Sequence, residues 1–169
     1  ITLISEIRSY DKFNEHSDNI YRVITHRKIL DRAPSNFAST TLAMLPNLDT
    51  EFPEIEEVVG LRENFSGDMN TGSKILPLSG LYMNNSFLDV FSFPLASGNR
   101  ETALIEPFSI VLTQEASIKL YGDEDPIGKV ITMNDGDAYE VTGLFEKLPK
   151  HSHIKFEALA SLSTRESLE

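Results

Sequence analysis

No cysteine occurs among the 169 residues. This removes disulfides, thiol catalysis and thiolate metal ligation together, and it leaves the redox compartment open, because reducing and oxidising spaces both tolerate cysteine-free chains. No apolar run approaches the ~18–20 residues that a membrane-crossing helix requires. Positive charge is scarce: 15 Lys and Arg stand against 26 Asp and Glu, for a net charge of −11. That balance argues against unaided binding to nucleic acid or to an anionic bilayer, both of which need clustered Lys and Arg. The short basic run His26-Arg27-Lys28 falls on an expected strand and reads as a solvated face.

The motifs of common chemistries are missing as well. No G-x-S-x-G elbow presents a nucleophilic serine, and no H-E-x-x-H pair presents a zinc site. The stretch LYGDEDPIGKVI, residues 120–131, has glycines and a lysine in roughly the order of a phosphate-binding loop. Five residues rather than four separate Gly122 from Gly128, Val130 follows Lys129 where Ser or Thr should hold magnesium, and Asp123, Glu124 and Asp125 would repel a phosphate. The segment therefore reads as a helix C-cap at Gly122, a polar turn, and a bend at Gly128 into a strand. His151 and His153 would share a face on a strand and supply half a metal site, whereas His16 reads as a surface residue. Asn134 to Glu140, NDGDAYE, lacks the alternation of a calcium loop and reads as a hairpin turn. The acidic turn at residues 123–126 reads as solvated, and Phe87, Phe91 and Phe93 read as core. No catalytic, cofactor-binding or metal-ligating residue is therefore assigned.

What is present is an ordinary globular composition, 40% hydrophobic and 24% charged, in a chain long enough to bury about 68–70% of its unfolded surface. NIYRVITHRKIL (19–30) is expected as a long strand. PSNFASTTLAMLPNL (34–48) is expected as a helix with Pro34 and Pro46 at its ends. Residues 55–61 are expected as a strand that turns at 66–73 and returns over 74–83, with Pro77 at an edge or bulge. A short helix follows residues 84–86, then a strand at 109–112, a helix capped by Thr113 and Gly122, and a hairpin closed by Asn134-Asp135-Gly136-Asp137. IKFEALASL is left as strand or helix. The order gives an α+β fold, mixed sheets with flanking helices in two lobes, one over 1–83 and a second α+β lobe over 84–167. Leu168-Glu169 is set aside as a cloning scar, and the start at Ile1 suggests an excised fragment.

Five separated blocks resemble the MacB-type periplasmic core domain of FtsX-like ABC transporter permeases of the Bacteroidetes type. They are SYDKFNEHSDNIYRV, FPEIEEVVGLR, SFLDVFSFPLASGNRETAL, SIVLTQEASIKLYGDEDPIGKVI and YEVTGLFEKLPKHSHIKFEALAS. The resemblance implies a non-enzymatic domain without cofactors, facing the periplasm from the inner membrane and anchored by a helix before Ile1. It also implies an ATP-binding subunit acting through the membrane part, a second permease copy, and a partner in the periplasm or outer membrane. In that family the chain continues past the block ending at residue 161 before it returns to the membrane, so the resemblance implies that the lobe over 1–83 is membrane-proximal and incomplete here. The competing reading is a free-standing extracytoplasmic ligand-binding or sensory domain. A hydrolase built on His151 and His153 is the third.

Overall fold

A computed structural model describes residues 10–30 and 33–168. Among these described residues nine strands and four α-helices follow one another as β1 (Thr25–Arg27), β2 (Ser35–Phe37), α1 (Leu45–Glu51), β3 (Leu61–Asn70), β4 (Ile75–Met83), α2 (Ser86–Val90), β5 (Leu95–Gly98), β6 (Ser109–Leu112), α3 (Gln114–Tyr121), β7 (Val130–Met133), β8 (Ala138–Phe145), β9 (Ala158–Ser161) and α4 (Ser163–Leu168). The fold is α+β with mixed sheets, as the sequence predicts. Among the described residues no helix is long and apolar enough to cross a membrane.

Strands β3 to β9 form one sheet in the order β5-β8-β6-β9-β4-β3-β7, and β7 also pairs with β8. The pairings β7-β8-β6-β9-β4-β3 therefore return to β7 and close a ring of six strands. β4 runs parallel to β9 and β6 parallel to β8, while the other pairs are antiparallel. Each strand presents alternate side chains to the two sides of this ring. Phe65, Met69, Tyr82, Ile110, Leu112 and Tyr139 meet on one side. Met83, Phe87, Phe93, Val111, Phe145 and Leu159 meet on the other. All four residues of β6 are buried, since apolar material covers both its faces. The boundary expected after residue 83 falls between β4 and α2, and strands from both sides of it share the sheet.

A bulge sets which residues of β8 face each way. Ile110 pairs with Val141 but Val111 with Gly143, so Thr142 is the extra residue. The parity of β8 changes there: Tyr139 and Val141 join the first cluster and Phe145 joins the second. The Thr142 hydroxyl donates to the carbonyl of Ala103 at 2.6 Å, which ties the bulge to the loop before β6.

Several expectations need correction. The long strand over 19–30 is only three residues, pairing as a two-stranded ribbon with β2. Arg22 and Thr25 send side-chain bonds to the carbonyls of Ala38 and Ser39, which holds the strands beyond the ladder. The helix expected over 34–48 begins later, as a 3₁₀ turn at Leu42–Met44 followed by α1. Pro46 stands in the first turn of α1, where its missing N–H costs nothing, rather than at its end. Residues 55–60 are not a strand, and β3 runs on to Asn70 through the segment expected to turn. Its inward positions are Phe65, Gly67 and Met69, and Gly67 hid the two-residue alternation. Pro77 does have the edge position expected for it: it lies in β4 opposite Asp68 of β3, on a stretch that the β9 ladder, confined to Gly80–Met83, does not reach. IKFEALASL resolves as β9, while β5 and α4 were not anticipated. Leu168, set aside as a scar, is the last residue of α4, and Glu169 lies outside the described residues.

Candidate functional site

Tyr10 to Glu15 lie as a strap across the loop between β8 and β9 and across the residues that follow α2. Every polar tie in this strap has a specific partner. Asp11 accepts the backbone N–H of His153 on Oδ1 at 3.0 Å, and its Oδ2 lies in hydrogen-bond contact with His153 Nδ1. In return the Asp11 N–H donates to the carbonyl of His151 at 2.8 Å. The Tyr10 ring stands edge-on to His151 and tilted over His153, with centroids 5.6 and 4.6 Å away.

The second half of the strap is held by a buried amide and an aromatic contact. Asn14 is only 4% exposed. Its Nδ2 donates to the Asp11 carbonyl at 2.9 Å and its Oδ1 accepts the Ser92 N–H at 3.0 Å, so one amide folds the strap and ties it to the domain. Ser92 Oγ accepts the Glu15 N–H at 2.9 Å. Phe13 packs edge-on against Phe93 at 5.1 Å and joins the cluster on the second side of the sheet. Phe87 and Phe93 are fully buried there, and Phe91 is packed against them.

The loop that receives the strap is fixed to the sheet. Glu157 accepts the Ser79 N–H and hydroxyl, each at 3.0 Å, and pairs with Lys119 of α3. Burial alone would raise its pKa, but the hydrogen bonds from Lys119 and Ser79 outweigh it and hold the carboxyl below the usual range. In the interior, burial and then the hydroxyl of Tyr82, 3.4 Å away, push the Tyr139 pKa upward, so that phenol stays protonated.

The other candidate residues have structural partners. Gly122, at φ 67, caps α3, and Gly128, at φ 75, makes the bend into β7. Asp125 Oδ1 accepts the Ile127 N–H inside the turn. Lys129 pairs with Glu124 and lies 4.7 Å over the Tyr121 ring, so its charge is already matched within the loop. The Lys129 hydrogen bond and charge lower the Glu124 pKa. Gly136, at φ 98, closes the β7–β8 hairpin, with Asp135 Oδ1 accepting the Asp137 N–H. His16 precedes a 3₁₀ turn and is exposed. His26 bonds to Asn36 across the β1–β2 ribbon. Among the described residues no three His, Asp or Glu side chains are grouped as a metal site would require. Sequence reasoning missed Asp11 and Asn14. Their partners are Ser92 and His153, and no local pattern joins positions so far apart.

A family model described as MacB-like periplasmic core domain matches residues 1–169. Three solved structures share the fold. A domain of a protein described as a permease, from Porphyromonas gingivalis, aligns with TM-score 0.69 at 22% identity over 83% of this chain and 61% of its own. The periplasmic region of MacB from Actinobacillus actinomycetemcomitans aligns with TM-score 0.58 at 18% identity, over 75% and 56%. The extracellular domain of the noncanonic ABC-type transporter YknZ from Gram-positive bacteria aligns with TM-score 0.59 at 16% identity, over 76% and 65%. The chain thus matches less than two thirds of the length of each. Among curated proteins, none matches it.

Proposed function

The chain belongs to the MacB-like periplasmic core domain family, and from that premise we propose that it is a non-catalytic extracytoplasmic part of an ABC transporter permease. In this reading ATP is hydrolysed by a separate subunit on the other side of the inner membrane. The domain passes the resulting motion on to the export or extraction of a substrate. A second permease copy and a periplasmic or outer-membrane partner complete the assembly.

The observation that carries the mechanical part is the strap. A segment that enters the fold from its N-terminal side must move the sheet with it if force is to pass through. Loose chain would absorb a displacement by rotating its own backbone. Here Asp11, Phe13 and Asn14 lock the strap to two separate parts of the domain, one by side-chain and backbone bonds, one by an aromatic contact, and one by a buried amide. A pull on residue 10 is therefore delivered to the β8–β9 loop and to the segment after α2 together.

The experiment is to read the parent coding sequence on both sides of this chain. The proposal expects an apolar run of ~20 residues before Ile1 and further runs after Glu169. Polar flanks on both sides would overturn it.

A further inference from the structure

The strap rests on a stretch whose charge is opposite to that of the molecule. Residues 147–155, KLPKHSHIK, contain Lys147, Lys150 and Lys155, two histidines and no acid, in a chain of net charge −11. All three lysines are exposed. Among the described residues none of the three has an ion pair, whereas Lys119 and Lys129 are each matched by a glutamate. Lys155 stands on an open groove with Leu148, Pro149, Ile154 and Phe156 in its walls, together with Thr113, Glu115 and Glu157, the last already paired with Lys119. Tyr10 packs over the same loop, and exposed Lys12 follows it.

Lysines around apolar and aromatic side chains are the chemistry of a surface that sits at a lipid headgroup layer. Ammonium groups meet phosphates there, while stems and rings reach the boundary of the acyl chains. We infer that the 147–155 loop is a contact surface for anionic phospholipid headgroups, used when the domain is held beside a bilayer. The inference rests on the proposed attachment to a membrane permease, which brings the strap end of the domain to the membrane. The overall negative charge then has a use: it repels the rest of the domain from an anionic surface and leaves this end as the one that can approach. Without a tether, the same repulsion prevents binding.

The test supplies the tether itself, so its result does not depend on the flanks of the parent gene. The chain carrying an N-terminal histidine tag is captured on vesicles containing a nickel-chelating lipid, either in phosphatidylcholine or in equal parts phosphatidylcholine and phosphatidylglycerol. Amide hydrogen exchange is then followed over 147–155. Protection is expected on the anionic vesicles only, and it should fade in high salt. The triple variant K147Q/K150Q/K155Q should lower loop occupancy on the order of a hundredfold, from ~1 kcal/mol for each lysine near such a surface. The control variant R27Q/K28Q, on the β1–β2 ribbon, should bind as the parent does. Equal protection on both vesicle types, an unaffected triple variant, or loss of binding in the ribbon variant instead would each overturn the inference. So would a loop left unprotected on anionic vesicles but protected by a soluble acidic peptide, since its partner would then be a protein.

Discussion

Asp11 and His153 stand 142 positions apart in the chain, yet one carboxylate of Asp11 takes both the backbone N–H and the ring nitrogen of His153. The His153 side chain is 71% exposed, so its contact with the carboxylate is screened by water and contributes less than ~1 kcal/mol. Its importance is positional. Asp11→Ala is expected to leave global stability almost unchanged while amide exchange rises over residues 10–15 and 151–154. Exchange measured by mass spectrometry checks this, and unchanged exchange in both segments would mean the pair does not hold the strap.

Asn14 should behave in the opposite way. It is buried and bridges the strap to the Ser92 N–H, so Asn14→Ala strands polar groups where water reaches them poorly. A loss of about 1–3 kcal/mol is expected in denaturant unfolding, as for other buried groups deprived of a partner. Ser92→Ala removes only the exposed bond to Glu15 and should cost about 0.5 kcal/mol.

Gly80 is where β4 and β9 approach too closely for any side chain. A Cβ there would fall 2.0 Å from the Ala158 carbonyl oxygen, which is backbone and cannot swing away. Gly80→Ala should break the parallel β4–β9 pairing at a cost above ~3 kcal/mol, read as loss of soluble folded protein. Gly72, at φ 87 in the β3–β4 turn, has nothing within 4 Å of its Cβ position. Gly72→Ala should cost only the ~1–2 kcal/mol of left-handed backbone.

Glu157 gives the fold a pH dependence of known sign. Lys119 and Ser79 hold its pKa below the ordinary 4.5, so its contribution is present above that value and is lost as pH falls through the lower, folded one. The stability difference between the parent and Glu157→Gln should be full at neutral pH and close in the acid arm, below about pH 4. A difference that persisted unchanged into that arm would assign the effect to packing instead.

The parts of the fold legible in the sequence are those fixed by local chemistry. Thr113 and Gly122 bracket α3, and the Asp-Gly turn closes β7 and β8, because caps and tight turns depend on residues within a few positions. The segment from 19 to 30 misleads because its apolar residues follow no buried face. Tyr21 and Leu30 are 83% and 91% exposed, so their pattern carries no information about a core. Gly67 at an inward position and turn-forming residues on the outward face hide β3 from its own sequence. The closed ring of strands and the bulge at Thr142 depend on pairings between distant segments, which no window of sequence displays. For the site, the histidines were visible and their role was not. They were weighed as metal ligands because Asp11, which occupies His153, lies far away in the chain.

The proposed delivery of displacement from strap to sheet is read in the full-length parent protein together with the ATP-binding subunit that the proposal assigns to it, reconstituted in a lipid nanodisc. A spin label at exposed Asp135, in the β7–β8 turn, is paired with one held in the bilayer. ATP is expected to shift the distance between the labels, and D11A/N14A to abolish or broaden the shift while ATP hydrolysis continues. The same shift, undiminished in D11A/N14A, would contradict it.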